Sequence, residues 1–135
     1  MSKVDYTQLN GLALAYVGDA IYEIYIRDYL VSQGKTRPNQ LHKTATHYVS
    51  AKAQAALMKK MLDENLLNEE ELTFYRRGRN AKSYTSAKNA DITTYRISTG
   101  FEALMGYLHL TGKKERLETL IHWCIENGGK QDGKK

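Results

Sequence analysis

Two carboxylates interrupt apolar, helix-forming stretches of this sequence. Asp19 lies inside Ala15-Tyr16-Val17-Gly18-Asp19-Ala20-Ile21-Tyr22, an apolar run of helical spacing. A buried, unpaired carboxylate is costly. Asp is a weak mid-helix residue, and Gly18 before it weakens the helix again. Glu102 lies in Ser98-Thr99-Gly100-Phe101-Glu102-Ala103-Leu104-Met105-Gly106, where flanking glycines permit close backbone approach. Glu23, one turn after Asp19, can share its face. Each has an ordinary alternative: a cap, arginine or water for Asp19, an exposed amphipathic position for Glu102, and Arg27 at four-residue spacing for Glu23. Two carboxylates from different helices would offer hard oxygen ligands to Mg²⁺, which keeps water and accepts phosphate oxygens. A metal so held activates water and stabilises charge on a phosphate, so the chemistry on offer is phosphodiester hydrolysis. Periodicity alone does not show that the two helices meet.

The charge distribution supplies a surface for such a substrate. The chain carries 20 Lys and Arg against 15 Asp and Glu, a net of +5. Residues 1–71 sum to −1 and residues 102–135 to +1, whereas residues 72–101 sum to +5. That segment holds Arg76, Arg77, Arg79, Lys82, Lys88 and Arg96 against Asp91 alone. A localised basic patch suits a polyanion such as nucleic acid; the alternative is a solvated basic loop.

The elements that must position these groups read as helices throughout. Residues 9–30 repeat apolar side chains at Leu9, Leu12, Tyr16, Ala20 and Ile24. That helix is apolar on most sides, which predicts burial against several neighbours or a partner chain. Pro38 suits the first turn of a second helix, and a third is expected over 50–62. Asn68 before Glu69, Glu70 and Glu71 predicts a capped fourth helix running to about Arg77. Residues 78–94 read as a basic loop, 95–110 as a fifth helix and 113–127 as a sixth, stopped at Gly128-Gly129. No strand alternation or internal repeat occurs, so the predicted class is all-α. The frequent tyrosines are expected in the core or an interface rather than as base-stacking platforms.

Length and composition exclude other classes. The 135 residues allow one domain with a real core, predicted to be ordered over 8–128 with a flexible tail at 130–135. No long uncharged apolar stretch predicts a membrane span, and the N-terminus opens no signal peptide. A single Cys124 leaves no disulfide framework, so a cytoplasmic location is expected. His42, His47, His109 and His122 form no metal or triad spacing.

With these residues in view, the chain resembles the ribonuclease III family. Ala15-Tyr16-Val17-Gly18-Asp19-Ala20-Ile21 is similar to that family's signature helix, and Phe101-Glu102-Ala103-Leu104-Met105-Gly106 to its second acidic motif. Arg77-Gly78-Arg79-Asn80-Ala81-Lys82-Ser83, Tyr95-Arg96, Ser98-Thr99 and Val49-Ser50-Ala51-Lys52 resemble the shorter Mini-ribonuclease III branch. The resemblance covers about residues 8–128. It implies an all-helical ribonuclease III-type endonuclease domain acting as a homodimer. Such enzymes cut double-stranded RNA with Mg²⁺, for which Mn²⁺ can substitute, leaving 5′-phosphate and 3′-hydroxyl ends. The branch lacks a separate double-stranded-RNA-binding domain, for which this chain has no room. In Bacillus-type bacteria it matures large-subunit 23S ribosomal RNA. A ribosomal protein is a further candidate partner.

By the resemblance, Asp19 is the catalytic, metal-binding aspartate and Glu102 the metal-binding glutamate. Full-length members carry further carboxylates where this chain has Leu12, Ala15 and Thr99. The smaller ligand set should weaken metal binding, and leaves open whether Glu23 or Lys52 contributes. The expected arrangement has two such sites across a shared groove, helix 9–30 supplying much of the dimer interface, and Arg76, Arg77, Arg79, Lys82, Lys88 and Arg96 gripping RNA phosphates. The rivals are an inactive ribonuclease III-like fold that only binds or scaffolds RNA, and a small helical DNA-binding regulator, which would need a recognition helix with clustered base-reading side chains.

Overall fold

Helix starts in this chain are written by side chains that accept backbone N–H groups. In the computed structural model, which describes residues 4–82 and 91–129, a short 3-10 turn over Tyr6–Gln8 leads into six helices. Asn10 accepts from Ala13 N at 2.8 Å and opens α1, Gly11–Ser32. Pro38 occupies the first turn of α2, Pro38–Val49. Ser50 caps α3, Ala51–Asp63. Asn68 and Glu71 exchange side-chain and backbone hydrogen bonds at 2.8 and 2.9 Å, a capping box that starts α4, Glu69–Arg79. Asp91 accepts from Thr94 N at 2.7 Å and starts α5, Ile92–Leu110. The last helix, α6, spans Lys114–Asn127. No strand occurs among the described residues.

Several boundaries differ from the sequence reading. The first helix begins after Asn10 and runs two residues further, because Asn10 is its cap. The basic loop expected over 78–94 is shorter at both ends. Gly78 and Arg79 belong to α4, and Ile92, Thr93 and Thr94 to the first turn of α5. Gly78 reads as a helix breaker in sequence, but here it is a contact residue. A Cβ on it would lie 2.4 Å from the Ala103 Cβ of α5. Most of the loop, Lys88 included, and the tail at 130–135 lie outside the described residues.

α5 is the central element, against which α1, α3, α4 and α6 pack. Every residue from Ile97 to Leu108 is buried except Glu102. α1 presents Leu14, Gly18, Tyr22, Ile26 and Leu30 to the core. Tyr22 sets its ring edge-on to Phe101 at 4.9 Å and donates its hydroxyl to Tyr48 O at 3.0 Å, tying α1 to α5 and α2. α6 adds Leu117, Leu120, Ile121 and Cys124, whose thiol is fully buried and pushed up by that burial. The buried Glu71 is balanced by Arg116 at 2.7 Å, which also donates to Leu66 O. No described helix is long and apolar enough to cross a membrane.

The closest approach in the fold is between α1 and α5. A Cβ on Gly18 would sit 1.7 Å from the Glu102 carbonyl oxygen, and one on Gly106 would sit 1.9 Å from that of Leu14. Both obstacles are backbone, so neither can swing aside. Gly18→Ala should therefore destabilise the protein by about 3 kcal/mol or more, read as a lower urea midpoint. A midpoint equal to wild type would refute this crossing.

Candidate active site

Asp19 follows Gly18 on α1, and Glu102 lies one turn before Gly106 on α5. The glycine crossing thus sets both carboxyl groups at the same rim. Asp19 is exposed, which corrects the expectation that its apolar neighbours bury it. Those neighbours are themselves outward: Leu12 is 40% exposed, Tyr16 83% and Ile24 54%. Glu102 is half-buried. Its carboxyl is pushed up to about 8, first by burial and next by the negative charge of Asp19; the Gln54 amide opposes this, while a hydrogen bond to Asp19 and the charge of Glu23 add to it. The structure therefore brings Asp19 and Glu102 together at the α1–α5 crossing.

Glu23 stands near this pair but is held by Arg27 at 2.8 Å, the ordinary alternative foreseen for it. Lys52 is on the exposed side of α3, two residues from Gln54 and so on nearly the opposite face. Gln54 itself is 1% exposed. No sequence signal marked it, because a single Gln among alanines and methionines reads as an exposed helix residue. Among the described residues, no group of three or more His, Cys, Asp or Glu side chains is placed to hold a metal. Two carboxylates are nevertheless a common protein contribution to Mg²⁺, which retains several waters.

The ribonuclease III domain, as a family pattern, matches residues 12–113. A Mini-ribonuclease 3 from Enterococcus faecalis is 72% identical over 96% of this chain and 98% of its own. One from Streptococcus pneumoniae is 58% identical over 91% and 96%. The X-ray structure of a Fusobacterium nucleatum protein matches with a TM-score of 0.80 at 30% identity, covering 93% of this chain and 98% of that one. The chain belongs to the ribonuclease III family, in its Mini-ribonuclease 3 branch. It is accordingly an endoribonuclease with an all-α fold.

Of the three positions where full-length ribonuclease III carries further carboxylates, Leu12 is 40% exposed and two lie in the core. Ala15 and Thr99 are buried, and the Thr99 hydroxyl donates to Tyr95 O at 3.0 Å. The candidate RNA-gripping residues separate into groups. Arg76, Lys82 and Arg96 are exposed. Arg79 is half-buried, its guanidinium 5.5 Å from the Tyr75 ring centre. Arg77 corrects the sequence reading: it donates to Thr7 O and Leu9 O at 2.5 and 2.9 Å and lies 4.6 Å from the Phe74 ring centre. It ties the N-terminal segment to α4 rather than facing outward for phosphate.

A second basic stretch escaped the charge sums. No acidic residue occurs between Asp28 and Asp63, a span that holds Lys35, Arg37, Lys43, Lys52, Lys59 and Lys60. The five acidic residues at Asp63, Glu64, Glu69, Glu70 and Glu71 cancelled it in the count. Arg37, Lys43 and His47 line one hollow on α2, and His47, Lys52 and Lys60 line the next, across α2 and α3.

The Glu102 proton makes stability depend on pH. An unfolded Glu102 titrates near 4.5 and the folded one near 8, so within that window only the folded form keeps the proton. Stability of the metal-free protein should therefore fall as pH rises through it. Glu102→Gln should flatten that slope in thermal melts taken from about pH 5 to about pH 8. Parallel slopes for the two proteins would contradict the raised pKa.

Proposed function

We propose that this chain cleaves double-stranded RNA, with Asp19 and Glu102 as the catalytic, metal-holding carboxylates, leaving 5′-phosphate and 3′-hydroxyl ends. The observation that carries this reading is the convergence of those two carboxyls at the α1–α5 crossing, where burial and Asp19 hold a proton on Glu102. That donor pair fits Mg²⁺, with Mn²⁺ as a substitute. When bound, the divalent cation supplies polarised water and positive charge at the scissile phosphate. Asp19, exposed at the rim, offers its carboxylate to cation and solvent together. Glu102, deeper, would hold the cation from the protein side. Gly18 and Gly106 hold the distance between the two.

Arg76, Lys82 and Arg96 neutralise phosphates flanking the cut, and Arg79 contributes from beside Tyr75. Lys88 retains that role on sequence grounds. The basic hollows on α2 and α3 extend the positive surface along a duplex. The natural substrate proposed is the 23S ribosomal RNA precursor, with a ribosomal protein as a further candidate partner and the cytoplasm as the location. Asp19→Asn should reduce cutting of a long RNA duplex in Mg²⁺ by at least about a thousandfold while preserving the melting curve and duplex binding. Wild-type cleavage by that variant would sink the assignment.

The enzyme works as a homodimer in this reading. Leu12, Tyr16, Ile24 and Val31, the last 55% exposed, form an apolar outer face on α1 beside Asp19. A second copy would bury that face and give one site for each strand. Tyr16→Glu should shift the protein from dimer to monomer in analytical ultracentrifugation. A dimer of unchanged affinity would place the interface elsewhere.

A further inference from the structure

α3 carries one polar side chain on its core face. The Ser50 cap sets the helix register, so Gln54 falls in line with Met58 and Met61, at successive turns. Both of those neighbours are wholly buried, and Gln54 is 1% exposed. Neither Nε2 nor Oε1 of Gln54 has a hydrogen-bond partner. A buried amide with both polar atoms unpaired is a rare defect in a folded protein. An unbranched apolar side chain such as Met would fill the same space without it. The amide faces the Glu102 carboxyl, approaching it without closing a full hydrogen bond.

We propose that Gln54 is a positioning residue of the active site, whose carboxamide orients the Glu102 carboxylate for the divalent cation. The proposal rests on the reading of Asp19 and Glu102 as the metal-holding pair. Groups that hydrogen-bond a metal's carboxylate ligand fix its orientation, and removing them commonly weakens metal binding about 10–100-fold. A carboxylate at Glu102 is an acceptor suited to the Nε2–H group of a buried amide that has no other partner. This pairing offers one reason why a site with few carboxylates can retain its cation: the ligand it has is held in place from the core.

The test uses Gln54→Met and Gln54→Leu in the intact protein, with three measurements. Thermal melts without metal should show both variants as stable as wild type or several degrees more so, because the unpaired amide is gone. Calorimetric titration with Mg²⁺ alone should show affinity weakened about tenfold or more. On duplex RNA at limiting Mg²⁺, kcat should fall by a similar factor with KM for RNA unchanged. A folded variant with wild-type Mg²⁺ affinity and wild-type kcat overturns the proposal. So does a variant that melts several degrees lower yet binds Mg²⁺ as wild type does, since that marks a purely structural role. If wild-type protein binds Mg²⁺ but leaves duplex RNA intact, the cleavage reading fails, and the Mg²⁺ titration of the variants still decides the role of Gln54.

Discussion

Everything at this site depends on two helices meeting backbone to backbone. Gly18 rests on the Glu102 carbonyl and Gly106 on that of Leu14, with no room for a methyl group at either point. Two glycines inside helices weaken both on their own, by about 1 kcal/mol each. The fold recovers this because α5 is buried from Ile97 to Leu108 at every residue but Glu102 and α1 packs a continuous face against it. The closeness matters chemically as well. Carboxyl groups borne one residue from one glycine and four from the other have little freedom to drift apart. Further glycine contacts, Gly78 on Ala103 and Gly100 on the Tyr75 ring, bring α4 close to α5 as well.

The metal-free site is a place of unresolved charge. Glu102 holds a proton that the ordinary carboxylate range would not allow, and the amide behind it has nothing to bond. Both features work against the stability of the protein without cation. Such tension is common at functional sites, where groups are arranged for binding or chemistry rather than for stability. Among the described residues, no other buried polar side chain is left without a hydrogen-bond partner. The core's other buried charge, Glu71, is capped, paired with Arg116 and fully satisfied.

Much of this was legible in the sequence, for reasons that can be named. Asn68, Pro38 and the three- and four-residue spacing of apolar groups are local signals, and the helices they predict are present. Asp19 and Glu102 stood out as carboxylates in apolar company. The reason for that company was only half right: the apolar residues beside Asp19 face outward rather than inward. Local pattern cannot tell a face turned to the core from one left uncovered by the single chain. Arg77 shows the same limit, since a basic residue beside a basic loop looks free until its guanidinium is seen holding Thr7 and Leu9. The stretch between Asp28 and Asp63 was hidden by summing over too wide a window. Gln54 carries no signal at all, because its meaning lies in α5, about fifty residues away along the chain.

Cys124 gives this arrangement a built-in reporter. It is the one thiol of the chain, wholly buried, and it lies against Tyr22, whose ring meets Phe101, the residue before Glu102. Alkylating reagents need a thiolate within reach, and here burial denies both charge and access. The rate at which Cys124 is modified therefore counts the openings of the core around Tyr22 and Phe101. Ligands that close the α1–α5 seam should slow that clock, and they can be followed without labelling any other part of the molecule.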